Sequence, residues 1–102
     1  MNQPKILVVD DDKEIVGAIK KRLEMEDYEI ITAYDGLEAM DILMEQEVQL
    51  LIIDVMMPKM DGWEVVKEIR KVSKVPIIML TAKDQEQDEL LGFELGVDEY
   101  IS

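Results

Sequence analysis

Apolar positions along this chain switch repeatedly between two spacings. Ile6-Leu7-Val8-Val9 is a continuous apolar run that stops at Asp10-Asp11-Asp12. From Lys13 the apolar residues fall instead at Ile15, Ile19 and Leu23, with Val16 alongside, which is the spacing of one helix face. Tyr28 to Ala33 reads as a second strand, broken by Asp35-Gly36, after which Leu37, Met40, Ile42, Leu43 and Met44 mark a second helix. Val48 to Ile53 carries only Gln49 as a polar residue and reads as a strand buried on both faces, with Pro58 forbidding its continuation as regular sheet. A turn at Asp61-Gly62 opens a third helix whose apolar face is Val65, Val66, Ile69 and Val72. Val75 to Leu80 is a fourth strand, with Pro76 at its beginning where a missing N–H does least harm. An acidic helix follows over Asp84 to Leu95, Gly96 stands where a helix ends, and Val97 to Ser102 begins a fifth strand.

Strands alternating with helices at short connections predict an α/β fold with parallel strands and right-handed crossovers. In such sheets ligands gather beyond the strand C-termini, at a topological switch point. Asp10, Asp11, Asp54 and Thr81 all fall at that edge. Asp54 is singular because an apolar strand delivers it to its own end, where an ionised carboxylate needs a cationic partner or becomes reactive. Helix capping explains one aspartate of the Asp10-Asp11-Asp12 run, and three exceed that need, since stacked acids repel unless a cation collects them. Thr81 and Lys83 also suit ordinary strand-end and surface roles.

Composition narrows the chemistry. The 102 residues, 48% hydrophobic and 34% charged, support one compact domain over 1–102. A formal net charge of −13 argues against this segment clamping nucleic-acid phosphates and suits a metal cation or a basic protein surface. With no cysteine and no histidine, disulfides, thiolate or imidazole metal sites and His-based triads are excluded. Three carboxylates and a hydroxyl match a hard, oxygen-seeking cation such as Mg²⁺, beside which a carboxylate can attack phosphorus to give an acyl phosphate. No run reaches the length of a membrane span and the start is no signal peptide, so no membrane contact and a cytoplasmic location are expected. The eight methionines read as core filler, and Trp63, the single tryptophan, as a partly exposed packing residue at a helix start.

Val8-Val9-Asp10-Asp11-Asp12, Leu51-Ile52-Ile53-Asp54-Val55-Met56-Met57-Pro58, Asp61-Gly62, Pro76-Ile77-Ile78-Met79-Leu80-Thr81-Ala82 and Gly96-Val97-Asp98-Glu99-Tyr100-Ile101 together carry a resemblance. Over nearly its whole length the chain is similar to the receiver domain of bacterial two-component response regulators, most closely those preceding winged-helix DNA-binding domains. That resemblance implies a flavodoxin-like, doubly wound sheet of five parallel strands in the order 2-1-3-4-5, with four helices here. It implies a phosphoacceptor domain rather than an enzyme: Asp54 accepts a phosphoryl group from a sensor histidine kinase. Asp11 and Asp54 bind Mg²⁺ directly with the backbone carbonyl of Met56, and Asp10 acts through water. Thr81 hydrogen-bonds the phosphoryl oxygen, and the rotamer of Tyr100 reports its movement to the face of the fourth helix and fifth strand. A C-terminal DNA-binding output domain is the implied recipient, with no nucleic-acid contact by this segment. Without the family, Tyr100 is equally a packing aromatic.

Two departures from the family pattern, and the identity of Met56, are expected to matter. The family's lysine after the fifth strand and its fifth helix lie beyond Ser102, so the chain reads as C-terminally truncated, with apolar surface that favours self-association. Neither Glu89 nor Leu91 is basic, whereas relatives that dimerise through the fourth helix carry basic residues there. Met56, bulky and apolar beside the path of the hydrolytic water, implies slow self-dephosphorylation. Two rival readings stand beside the receiver: a receiver-like interaction module that no longer accepts phosphate, and a phosphatase of the haloacid-dehalogenase type, which needs an acid where this chain has Met56.

Overall fold

A computed structural model of the chain describes residues 3–54, 62–80 and, for the backbone alone, 99–101. The elements run β1 (Lys5–Val9), α1 (Lys13–Glu24), β2 (Glu29–Ala33), α2 (Gly36–Glu45), β3 (Leu50–Asp54), α3 (Gly62–Arg70), β4 (Ile77–Leu80) and β5 (Glu99–Ile101). All pairings are parallel and the strand order is β2-β1-β3-β4-β5, as the alternation of spacings predicts. The expected fourth helix, Met56, Thr81 and Lys83 lie outside the described residues.

Alternation along the strands sorts the side chains into two rows. Leu7, Val9, Leu51, Ile53, Ile77 and Met79 form one row, packed with Val65, Val66 and Ile69 of α3 and Ala39 of α2. Each of those strand residues is at most 1% exposed. Ile6, Val8, Ile30, Leu50 and Ile52 form the opposite row, packed against Val16, Ile19 and Leu23 of α1. Here Leu50 and Ile52 are only half-buried, and an open groove of about 360 Å³ runs between α1 and the sheet, lined by Ala18, Ile19, Leu23, Ile52, Ile78 and Leu80 with Arg22 at its side. The expectation that β3 is buried on both faces is therefore corrected: one face is closed by two helices, whereas α1 leaves the other partly open.

Helix ends follow local chemistry. Asp12 caps α1, its Oδ1 accepting from the N–H groups of Glu14 at 2.9 Å and Ile15 at 3.3 Å; Asp35 caps α2 by accepting from Glu38 N–H at 2.9 Å. At the far end of α1 the Tyr28 N–H donates to the Leu23 carbonyl at 3.4 Å and the Asp27 N–H to that of Glu24 at 3.2 Å. Asp27, at φ 65°, holds the left-handed position that glycine usually fills in this closure. The Arg70 guanidinium donates to the Val75 carbonyl at 2.7 Å, tying the end of α3 to the approach of β4.

Several apolar residues expected inside are outside. Met25 and Met44 are 71% and 74% exposed, so core filling does not account for them, although Met79 is fully buried. Met25 follows the last turn of α1, and Met44 lies two turns from Leu37, itself exposed, on the outer side of α2. Val72, expected on the face of α3, is exposed because the helix ends at Arg70. Ile15 is also exposed, leaving Val16 as the fully buried residue of α1. Trp63 is half-buried against the larger core, as expected. No described helix is long and apolar enough to cross a membrane.

Candidate functional site

Register brings the acids together. Val9 pairs with Ala33 on one side and Ile53 on the other, so the next residues, Tyr34, Asp10 and Asp54, form a row across the C-terminal ends of β2, β1 and β3. Asp10 extends the ladder one step by donating its N–H to the Ala33 carbonyl at 3.2 Å. Its side chain, 3% exposed, accepts from the Asp12 N–H at 3.0 Å. Asp54, last residue of β3 and half-buried, lies beside Leu80 of β4. Asp11 projects from the loop and is exposed.

Carboxylate oxygens of Asp10, Asp11 and Asp54 all lie within 4.8 Å of one another. The three aspartates of the Asp10-Asp11-Asp12 run thus divide their work: Asp12 caps the helix while Asp10 and Asp11 join Asp54. Crowding marks the cluster electrostatically. Burial pushes the Asp10 carboxyl up to about 6, helped by the charge of Asp54 and by hydrogen bonds shared with Asp11 and Asp54, against the opposing Asp12 N–H. Three hard oxygen donors this close together fit a divalent cation, which would offset both the burial of the Asp10 carboxylate and its repulsion from Asp54.

Of the other residues singled out from the sequence, Thr81 directly follows Leu80 and, like Met56, lies outside the described residues. The backbone of Tyr100 pairs with Met79 in β5, and its side chain is outside them too. One contact escaped the sequence reading: the Lys13 ammonium sits 5.5 Å from the centroid of the Tyr34 ring. The available signal was the position of Tyr34, which continues the β2 alternation into the row of acids.

Residues 6–102 match the profile of the response regulator receiver domain. The chain belongs to that family. Solved receivers and related regulators share its architecture. The chemotaxis protein CheY4 of Vibrio cholerae superposes with a TM-score of 0.93 at 33% identity, over 97% of this chain and 85% of that one. The response regulator TrrA of Thermotoga maritima, solved in complex with Mg²⁺-BeF, gives 0.86 at 39% identity over the same shares, 97% and 85%. The non-phosphorylated HemR receiver domain of Leptospira biflexa gives 0.90 at 34% identity, over 97% of this chain and 81% of that one. Membership of the response regulator receiver family places this domain in two-component signalling, and its acids occupy the sheet edge where the fold gathers ligands.

Proposed function

We propose that this domain is a Mg²⁺-dependent phosphoryl acceptor, with Asp54 taking the phosphoryl group from the phosphohistidine of a sensor kinase. The observation that carries the reading is the convergence of the Asp10, Asp11 and Asp54 carboxylates within 4.8 Å at the strand ends of a receiver fold. Asp10, Asp11 and Asp54, with the Met56 carbonyl, would hold the cation, and when bound it supplies positive charge for the phosphoryl oxygens. An Asp54 carboxylate oxygen forms the bond to phosphorus as the donor's P–N bond breaks, and the electron pair leaves with the imidazole. Burial of Asp10 and its hydrogen bond from Asp12 fix one wall of the site in advance.

Thr81 then donates its hydroxyl to the phosphoryl group, and Tyr100 carries the change to the surface of β5, where an output domain, for instance a DNA-binding one, reads it. The domain's role is regulatory: it turns over only its own phosphoryl group, in the cytoplasm where sensor kinases present phosphohistidine. Resemblance of sequence and fold to response regulators supports these assignments.

Incubation with Mg²⁺ and a small acyl phosphate, read by intact mass and by Trp63 fluorescence, tests the reading. One phosphoryl group per chain, lost in Asp54→Asn and when Mg²⁺ is chelated, is expected. Steady release of phosphate at many turnovers would point to a phosphatase instead, and the absence of any modification to an interaction module.

A further inference from the structure

Among the described residues, the edge that holds the acids is nearly devoid of positive charge. Each described helix starts at the C-terminal edge of the sheet and runs back toward the other. Lys20, Lys21 and Arg22 in α1, and Lys67 and Arg70 in α3, consequently lie away from the site; twelve residues of α1 span about 18 Å. Asp10, Asp11, Asp12, Glu14, Asp35 and Asp54 populate the near edge. Lys13 is the sole cation there among the described residues.

Its position runs against local helix physics. Lys13 is the first residue of α1, where the positive end of the helix dipole favours an acid and disfavours a cation. Tyr34 holds the ammonium at 5.5 Å, and Tyr34 belongs to the row that continues through Asp10 to Asp54. Successive strands are about 4.8 Å apart, so the backbone of Tyr34, whose ring tethers the charge, stands roughly two strand spacings, about 10 Å, from that of Asp54.

Resting on the receiver reading above, we infer that Lys13, tethered on Tyr34, is an entry cation that draws dianionic phosphoryl donors toward the cluster of Asp10, Asp11 and Asp54. In the reaction it serves, an Asp54 oxygen bonds to the phosphorus of an acyl phosphate as the donor's P–O bond breaks, and the electron pair departs with the carboxylate. Lys13 touches none of these atoms and is a positioning residue. A unit charge about 8–10 Å from a dianion changes its local concentration roughly fivefold in water at low ionic strength, and about twofold near 0.15 M salt.

The test compares acetyl phosphate, a dianion at neutral pH, with phosphoramidate, a monoanion, on the wild-type chain, Lys13→Glu and Tyr34→Leu. Lys13→Glu is expected to slow modification by the dianion about tenfold or more and by the monoanion about threefold, with both differences vanishing near 1 M salt. Tyr34→Leu, which frees the ammonium, should give a smaller loss of the same kind. Mg²⁺ binding, followed by Trp63 fluorescence, should tighten several-fold in Lys13→Glu, and thermal stability should hold or rise as the dipole conflict is removed. Equal slowing of both donors, insensitivity to salt, or weaker Mg²⁺ binding together with lower stability would overturn the inference and leave Lys13 a structural counter-ion. Wild-type modification that persists in Asp54→Asn would instead overturn the receiver reading itself.

Discussion

The two faces of the sheet are built from the same few strands yet are closed to different degrees. On the α2 and α3 side, Leu51, Ile53, Ile77 and Met79 are wholly buried; on the α1 side, their neighbours Leu50, Ile52, Ile78 and Leu80 are half-buried beside an open groove. By alternation, Asp54 belongs with Leu50 and Ile52, and Asp10 with Ile6 and Val8. The acids therefore terminate the rows on the looser side. Among the described residues the tightest packing thus lies on the α2 and α3 side, opposite the rows that end in Asp10 and Asp54.

Truncations probe that contrast most strongly on the closed side. Leu51→Ala should lower the free energy of unfolding by about 3 kcal/mol, because both transfer and cavity terms apply in full; urea titration measures it. A loss below about 1 kcal/mol would mean that this face is no tighter than the other.

Next comes Asp10→Asn, expected to stabilise the metal-free protein at neutral pH by on the order of 2 kcal/mol while weakening Mg²⁺ binding. The pH dependence fixes its origin. Because the folded Asp10 carboxyl is raised from 3.8 to about 6, the folded state binds more protons in that window. Its contribution is present below about 4 and is lost as pH rises through 6. Melting temperatures of the wild type should fall across that interval relative to Asp10→Asn, and parallel curves would refute the assignment.

Ile52→Ala probes the open side and should cost about 1 kcal/mol, since part of the side chain already borders the groove. A value equal to that of Leu51→Ala would erase the difference between the faces. Gly17→Ala gives the smallest effect, a gain of about 0.5–1 kcal/mol in thermal unfolding: an added Cβ meets nothing within 4 Å, and α1 is the described helix that covers this face.

Most of the architecture was written in spacing. Switches between continuous and helical apolar runs placed every described strand and helix, because each change from strand to helix coincides with an Asp-rich or Asp-Gly break that caps or turns the chain. Asp10, Asp11 and Asp54 were legible as a cluster for the same reason, since parallel topology sends every strand end to one edge. Exposure was less legible. Met44 and Leu37 match a helical period yet face outward, and a period says which residues share a side but not whether a neighbour covers it. The Asp27 turn, with an aspartate where glycine is usual, and the Lys13–Tyr34 contact depend on three-dimensional closure and leave little trace along the chain.

The parity of β3 sets a rule for how this sequence can drift. CheY4 matches the backbone with a TM-score of 0.93 while sharing 33% of residues, so the identity of many apolar side chains is negotiable. Their count is not. One residue inserted or deleted between Leu50 and Asp54 would exchange the two rows and turn the terminal carboxylate toward the closed core. A one-residue insertion or deletion within β3 is therefore expected to disturb core and acids together, whereas one in a connection leaves the parity of the strand intact.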